Sequence, residues 1–226
     1  MKKKKTIFLQ DNREILPFRQ GFMLSNVIDY QAIPMYRIKQ DNRIARSVEK
    51  ITGGLMQILQ GKSIAQVSVA EIALAAGVSR ATFYRLFDTP MDVLVYICDR
   101  LAESLSRIQR ESGLASREEI SLRVLEFLIG HYNEIHAIFR SRRPDILQHA
   151  IEPYTLPLAP NADERFSERE EDYLRYTIAA VLVGILYVWD KHGRNENAAE
   201  LYAMYRKFSD YLDWSRADGT DVSAQH

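Results

Sequence analysis

Arg80, Ala81, Thr82, Tyr84 and Arg85 crowd charged donors, hydroxyls and a methyl group into six positions of the chain. Those groups can hydrogen-bond to base edges in a major groove, touch a thymine methyl and grip flanking phosphates. They belong to the stretch SVAEIALAAGVSRATFYRLF, residues 68–87. Ser79, just ahead of them, is a capping residue, and a helix start there leaves backbone amides suited to a phosphate oxygen. A solvated helical corner has the same composition, so this chemistry requires that the segment be held rigid with these side chains facing outward.

Other chemistries find little support. Cys98 is the single cysteine, which excludes an intrachain disulfide framework, and no histidine or oxyanion loop stands near it in sequence. His131 and His136 are five residues apart and do not share a helical face, which makes them a poor metal pair. There is no glycine loop of the phosphate-cradling kind, and the run from Glu168 to Asp172 is best read as a charged helix start. The expectation is therefore a protein that is not an enzyme, with no catalytic residues, no metal and no cofactor.

The elements that must position the five residues are helical. Almost nothing alternates with period two, whereas apolar residues recur at three- and four-residue spacing from Ile44 onward. Helix starts are marked by a cap followed three residues later by glutamate: Ser68 and Glu71, Ser116 and Glu119, Ser167 and Glu170, Asn197 and Glu200. Thr89-Pro90-Met91-Asp92 is a fifth start. These signals predict helices over about 43–60, 69–76, 80–86, 90–111, 117–131, 133–150 (broken near Pro144), 168–191 and 198–213, with a loop from Pro153 to Pro160. The fold class is all-α. The short pair reads as a helix-turn-helix: Gly77 supplies the positive φ of the turn, and Ile72, Ala73, Ala76, Val78, Phe83, Leu86 and Phe87 form its inner side. Ala73 is small enough for two helices to cross closely.

The formal net charge of the 226 residues is zero, but it is unevenly spread. Residues 1–90 carry 14 Lys and Arg against 7 Asp and Glu, and residues 91–226 carry 16 against 23. A basic first third suits a polyanion, and an acidic remainder keeps the other face away from it. The four lysines at positions 2–5 lack a signal-peptide core behind them, and the apolar run from Tyr176 to Trp189 is too short to span a bilayer. A cytoplasmic protein without membrane association is expected.

The stretch from Ser68 to Leu94 resembles the DNA-binding signature of the TetR family of bacterial transcriptional regulators. The shared features are the capped start, Ile72-Ala73, Ala76-Gly77-Val78-Ser79, Thr82, Phe83-Tyr84 and Phe87. The resemblance implies that Ser68, Ser79, Thr82 and Tyr84 contact phosphates, and that Arg80, Ala81 and Arg85 face bases. Arg43 and Arg46, opening the first helix, would meet the DNA backbone nearby. Members often carry a lysine where this chain has Pro90, so a phosphate-directed cation is missing there; the Lys2–Lys5 arm would supply another by entering the minor groove, unless it is simply a charged tail.

The resemblance further implies an N-terminal three-helix DNA-binding domain, residues 43–88, and a larger regulatory and dimerisation domain, residues 89–214. Residues 1–42 form an extension and 215–226 a tail, both expected to be flexible. Helix 168–191 is apolar nearly all round, with Leu174, Ile178, Val181, Leu182, Ile185, Val188 and Trp189; the helix after it carries Leu201, Met204, Tyr205, Phe208, Tyr211, Leu212 and Trp214. These two would pair with their copies as a four-helix homodimer interface, giving two reading heads for a palindromic operator in double-stranded DNA. The expected function is a repressor released by a small-molecule effector acting through helix 90–111; control by a protein partner without an inducer is the alternative. Tyr96, Tyr132, His136, Phe139 and Trp189 could line a cavity or be plain core, and the sequence names no ligand.

Overall fold

A computed structural model describes residues 42–112, 116–155, 158 and 166–211. The expectations for the N-terminal extension, for the tail and for the side chains of Phe208 to Trp214 lie outside these residues.

Nine α-helices are described: α1 (Asn42–Leu59), α2 (Val69–Ala76), α3 (Arg80–Leu86), α4 (Pro90–Ser112), α5 (Arg117–Gly130), α6 (Tyr132–Arg140), α7 (Pro144–Ile151), α8 (Glu168–Lys191) and α9 (Ala198–Tyr211). No strand occurs among the described residues. Ser68, Ser116 and Ser167 each accept a hydrogen bond from the amide of the glutamate three positions on, and each glutamate closes a reciprocal capping box. Asn197 and Glu200 exchange the same pair of bonds.

The break expected near Pro144 falls just before it: α6 ends at Arg140 and the chain turns through Arg142 at a φ of 56° before Pro144 opens α7. A further short 3-10 turn, Ile64–Gln66, links α1 to α2 and is capped by Ser63 and Gln66.

Val48, Ile51 and Leu55 of α1, Ile72 and Ala76 of α2, and Phe83, Leu86 and Phe87 at α3 are buried in a core that continues into the larger bundle through Val93, Leu94 and Ile97. The close crossing in this region falls at Gly54 rather than at Ala73 alone: a Cβ placed on Gly54 would lie 2.9 Å from the Ala76 amide nitrogen. Only glycine lets α1 and α2 meet backbone to backbone there.

The corner after α6 fastens the bundle to the end of α1. The Arg140 guanidinium donates to the carbonyl oxygens of Gln60 at 2.7 Å and Gly61 at 3.1 Å. The buried Ser141 hydroxyl accepts from the Ile64 amide at 3.3 Å. Towards the start of α6, His136 pairs with Asp190 of α8 at 3.0 Å, and Arg194 lies 4.0 Å from the centre of the Tyr132 ring.

α8 buries Ala179, Leu182, Val183, Leu186 and Trp189 against the rest of the fold. Among the described residues this 24-residue helix is the one long and apolar enough to cross a membrane by length and composition, a test that a core helix of a soluble protein also passes. Tyr173, Tyr176, Val181, Tyr187 and Val188 are exposed along it, and Met204 is exposed on α9.

Candidate nucleic-acid interface

The site starts from the cap of α2. Ser68 Oγ accepts from the Glu71 amide at 3.3 Å, and the Glu71 carboxylate accepts from the Ser68 amide at 3.0 Å and from Lys62. The Lys62 ammonium first, then the bonds from Ser68, lower the Glu71 pKa from 4.5 to about 2. After eight helical residues α2 stops at Gly77, whose φ of 61° and ψ of 38° are left-handed. The amides of Gly77 and Val78 donate to the carbonyls of Leu74 at 3.1 Å and Ala73 at 3.0 Å, which satisfies the end of α2 within one turn.

Ser79 then starts α3. Its hydroxyl accepts from the Thr82 amide at 3.0 Å and lies 3.0 Å from the Thr82 hydroxyl. Phe83, Leu86 and Phe87 are fully buried, and this fixes the helix rotationally. A seven-residue helix with two such anchors, and a third at its C-cap, has a single outer face, and Arg80, Ala81, Tyr84 and Arg85 are exposed on it. The Tyr84 ring meets the Phe83 ring edge-on with centroids 5.7 Å apart, so its root is packed while half of the residue is accessible. Beyond Phe87, the buried Asp92 carboxylate accepts from the amides of Asp88 and Thr89, both at 2.9 Å, and sets the angle at which α4 leaves α3.

The predicted residues therefore separate by role. Arg80, Ala81, Tyr84 and Arg85 share one short helix; Ser79 and Thr82 sit at its start with their hydroxyls turned to each other. Ser68 is exposed at the start of α2, and Arg43 and Arg46 are exposed on the first turns of α1. Gly54 is the residue that sequence reasoning passed over. A Gly53-Gly54 pair inside an amphipathic helix costs about 1 kcal/mol per residue relative to alanine, a signal that the backbone is approached there.

Groups considered for other chemistry are placed elsewhere. Cys98 is buried, and burial raises its thiol pKa, so the sulfur stays protonated. Among the described residues no group of three or more His, Cys, Asp and Glu side chains is arranged to hold a metal ion. Phe139 and Trp189 are core residues, whereas Tyr96 and His136 border a cleft between α1, α4 and α6.

Comparison with known proteins agrees with this geometry. Residues 51–94 match the family model described as bacterial regulatory proteins, tetR family. No curated protein matches the sequence. Among solved structures, Lin0861 from Listeria innocua is similar over 78% of this chain and 96% of its own, with a TM-score of 0.66 and 18% identity. The fatty acid degradation regulator FadR from Bacillus halodurans is similar over 75% of this chain and 95% of its own, with a TM-score of 0.55 and 16% identity. Both likenesses show a shared helical fold across most of either chain. The matched segment begins inside α1 and contains the capped α2–α3 pair, and over these residues the chain carries the sequence pattern of the tetR family of bacterial regulatory proteins.

Proposed function

We propose that the protein is a homodimeric repressor that occupies a palindromic DNA operator through α3 and leaves it when a small-molecule effector binds. The observation that carries this reading is the division of α3 into a buried side, Phe83 and Leu86, and an exposed side, Arg80, Ala81, Tyr84 and Arg85. Donors and a methyl group on a rotationally fixed helix suit base edges, and the helix start suits a phosphate. In this reading residues 43–88 act as the DNA-binding head and residues 89–214 as the regulatory and dimerising body, in a cytoplasmic protein.

Dimerisation is supported by the outer face of α8. Tyr173, Tyr176, Val181, Tyr187 and Val188 recur at helical spacing and stay exposed on a helix whose opposite side is core. An apolar stripe of this kind marks an association surface, and a twofold copy of α8 and α9 would cover it while presenting two heads to one face of a duplex. α4 joins head to body and would transmit the effector signal.

The reading is tested by incubating the full chain with fragmented genomic DNA and sequencing what it retains. It expects an enriched palindrome with half-sites about one helical repeat apart; retained fragments without shared sequence would refute it.

A further inference from the structure

We infer that Arg140 and Ser141, at the corner between α6 and α7, fix the angle at which the body holds the head formed by α1, α2 and α3. They are positioning residues: neither lies on α3, and both act through the segment Gln60–Ile64.

α1 ends without a basic residue in its last turn, and the carbonyls at a helix end have no intrahelical partner. The amides of Gly61 and Lys62 both turn back to the Ile58 carbonyl, each at 3.1 Å. The carbonyls of Gln60 and Gly61 instead receive the Arg140 guanidinium, at 2.7 Å and 3.1 Å, from 80 and 79 positions away in the chain. A cation at this end of α1 also faces the negative pole of the helix.

The second tie is buried. Ser141 and Ile64 are 7% and 5% exposed, and the Ile64 amide donates to the Ser141 hydroxyl. Loss of the hydroxyl would strand a buried amide, which folded chains rarely tolerate. The corner itself has an uncommon shape: Arg142 has a φ of 56°, while its amide and that of Arg143 donate to the Phe139 and Ile138 carbonyls at 2.9 Å and 3.2 Å. Glycine usually closes a helix in this way. Another residue persists there when its surroundings over-determine the turn, and the two ties to the head supply that constraint.

What the corner grips leads straight to α2 and α3. Ile64 opens the 3-10 turn that ends at Gln66, and Ser68 caps α2 just after it. Lys62 pairs with Glu71 in the first turn of α2. The body therefore reaches the head at two separate points. One is the α3–α4 junction, where the Asp92 carboxylate accepts from the Asp88 and Thr89 amides; the other is Gln60–Ile64. A cleft lined by Thr52 and Met56 of α1 and by Asn133 and Ala137 of α6 opens between those two helices, so their packing alone does not set the angle. One attachment permits a swivel; a second removes it. In a twofold pair that angle sets the distance and rotation between the two copies of α3. This consequence, a fixed half-site spacing, rests on the proposed operator-binding function; the tie itself does not.

The tie is tested in the full chain without DNA, by spin labels on Lys50→Cys of α1 and Lys191→Cys of α8, both exposed positions. Labelled protein is diluted into unlabelled, so that distances within one chain are read, and the buried Cys98 stays unmodified. The parent is expected to give one narrow distance distribution, and Arg140→Ala combined with Ser141→Ala a broader one. Arg140→Lys keeps the charge without the two-pronged donor and should fall between them. Arg140 is exposed, so its variants fold, as thermal melting will verify. An unchanged distribution in the double variant overturns the inference.

The second arm uses the duplex retained from genomic DNA and copies with one base pair added or removed at the centre, a change of about 3.4 Å and roughly 35°. The parent should lose roughly tenfold or more in affinity on the altered copies, because one head no longer reaches its half-site, and the double variant less than about threefold. A corner that only stabilises the fold would lower the melting temperature and leave the ratio between these duplexes as it is, which would also overturn the positioning role. If the parent retains no shared sequence, the regulator reading falls, and the label distances still decide the tie.

Discussion

Gly54 of α1 and Ala76 of α2 are in backbone contact: a methyl on Gly54 would sit 2.9 Å from the Ala76 nitrogen and 3.2 Å from its Cβ. Gly53, one residue earlier, has nothing within 4 Å of the same construction. The two neighbours therefore respond oppositely to alanine. Gly54→Ala should destabilise the protein by about 1–3 kcal/mol as the helices are forced apart. Gly53→Ala should stabilise it by up to about 1 kcal/mol through helix propensity. Urea denaturation of both variants checks the pair, and equal effects would place the crossing elsewhere.

Gly77 ends α2 with a φ of 61°, a conformation that costs an L-residue roughly 1–2 kcal/mol. Gly77→Ala should lower the unfolding free energy read from urea denaturation by that amount, and Gly77→Asn by less. No wall surrounds the Gly77 Cβ position, so the cost is backbone strain alone. A neutral Gly77→Ala would show that the turn relaxes freely and that α3 is not held as described.

The cap of α2 makes stability depend on acid. Glu71 has its pKa lowered from 4.5 to about 2 in the folded chain. A carboxylate depressed on folding stabilises above its unfolded value and loses that contribution as pH falls from about 4.5 towards 2. Glu71→Gln should therefore flatten the acid side of the stability profile in that window while leaving neutral-pH unfolding cooperative. Thermal melts between pH 2 and 7 follow it; superimposable profiles would contradict the cap.

Much of this organisation is legible in the sequence because local chemistry dictates it. Ser68 with Glu71, Gly77, and Ser79 announce the α2–α3 pair through caps and a turn that only certain residues make. Ser167 and Asn197 mark α8 and α9 in the same way. The α6–α7 break was less legible. Pro144 signals a boundary, but the turn begins three residues earlier, where Arg140 and Ser141 are held by α1 and the turn after it, far away in sequence. The Gly54 contact was hidden for a related reason: a glycine in a helix does not say which element approaches it. Exposure of Arg80 and Tyr84 follows from α3 having Phe83 and Leu86 as anchors, whereas the cleft between α1, α4 and α6 depends on how three helices from distant parts of the chain diverge.

The exposed stripe on α8 predicts self-association. Val181→Glu, alone or with Val188→Glu, places charge where two copies of the helix would meet, and the side chains are already exposed in the single chain. Light scattering should show the parent chain at twice the monomer mass and the double variant as a folded monomer. DNA affinity should fall with it, because one head loses the other's contacts. A variant that remains dimeric would move the interface off this face.

The central claim, that the outer face of α3 enters a duplex groove, is tested most directly by the affinity of the full chain for its selected DNA as salt rises. Each phosphate contact releases counterions, so log K should fall steeply and linearly with log salt. Tyr84→Phe should weaken all sequences alike, and Arg80→Ala should also lose roughly 1–3 kcal/mol of discrimination at one base pair. Binding that ignores salt and both substitutions would contradict the account.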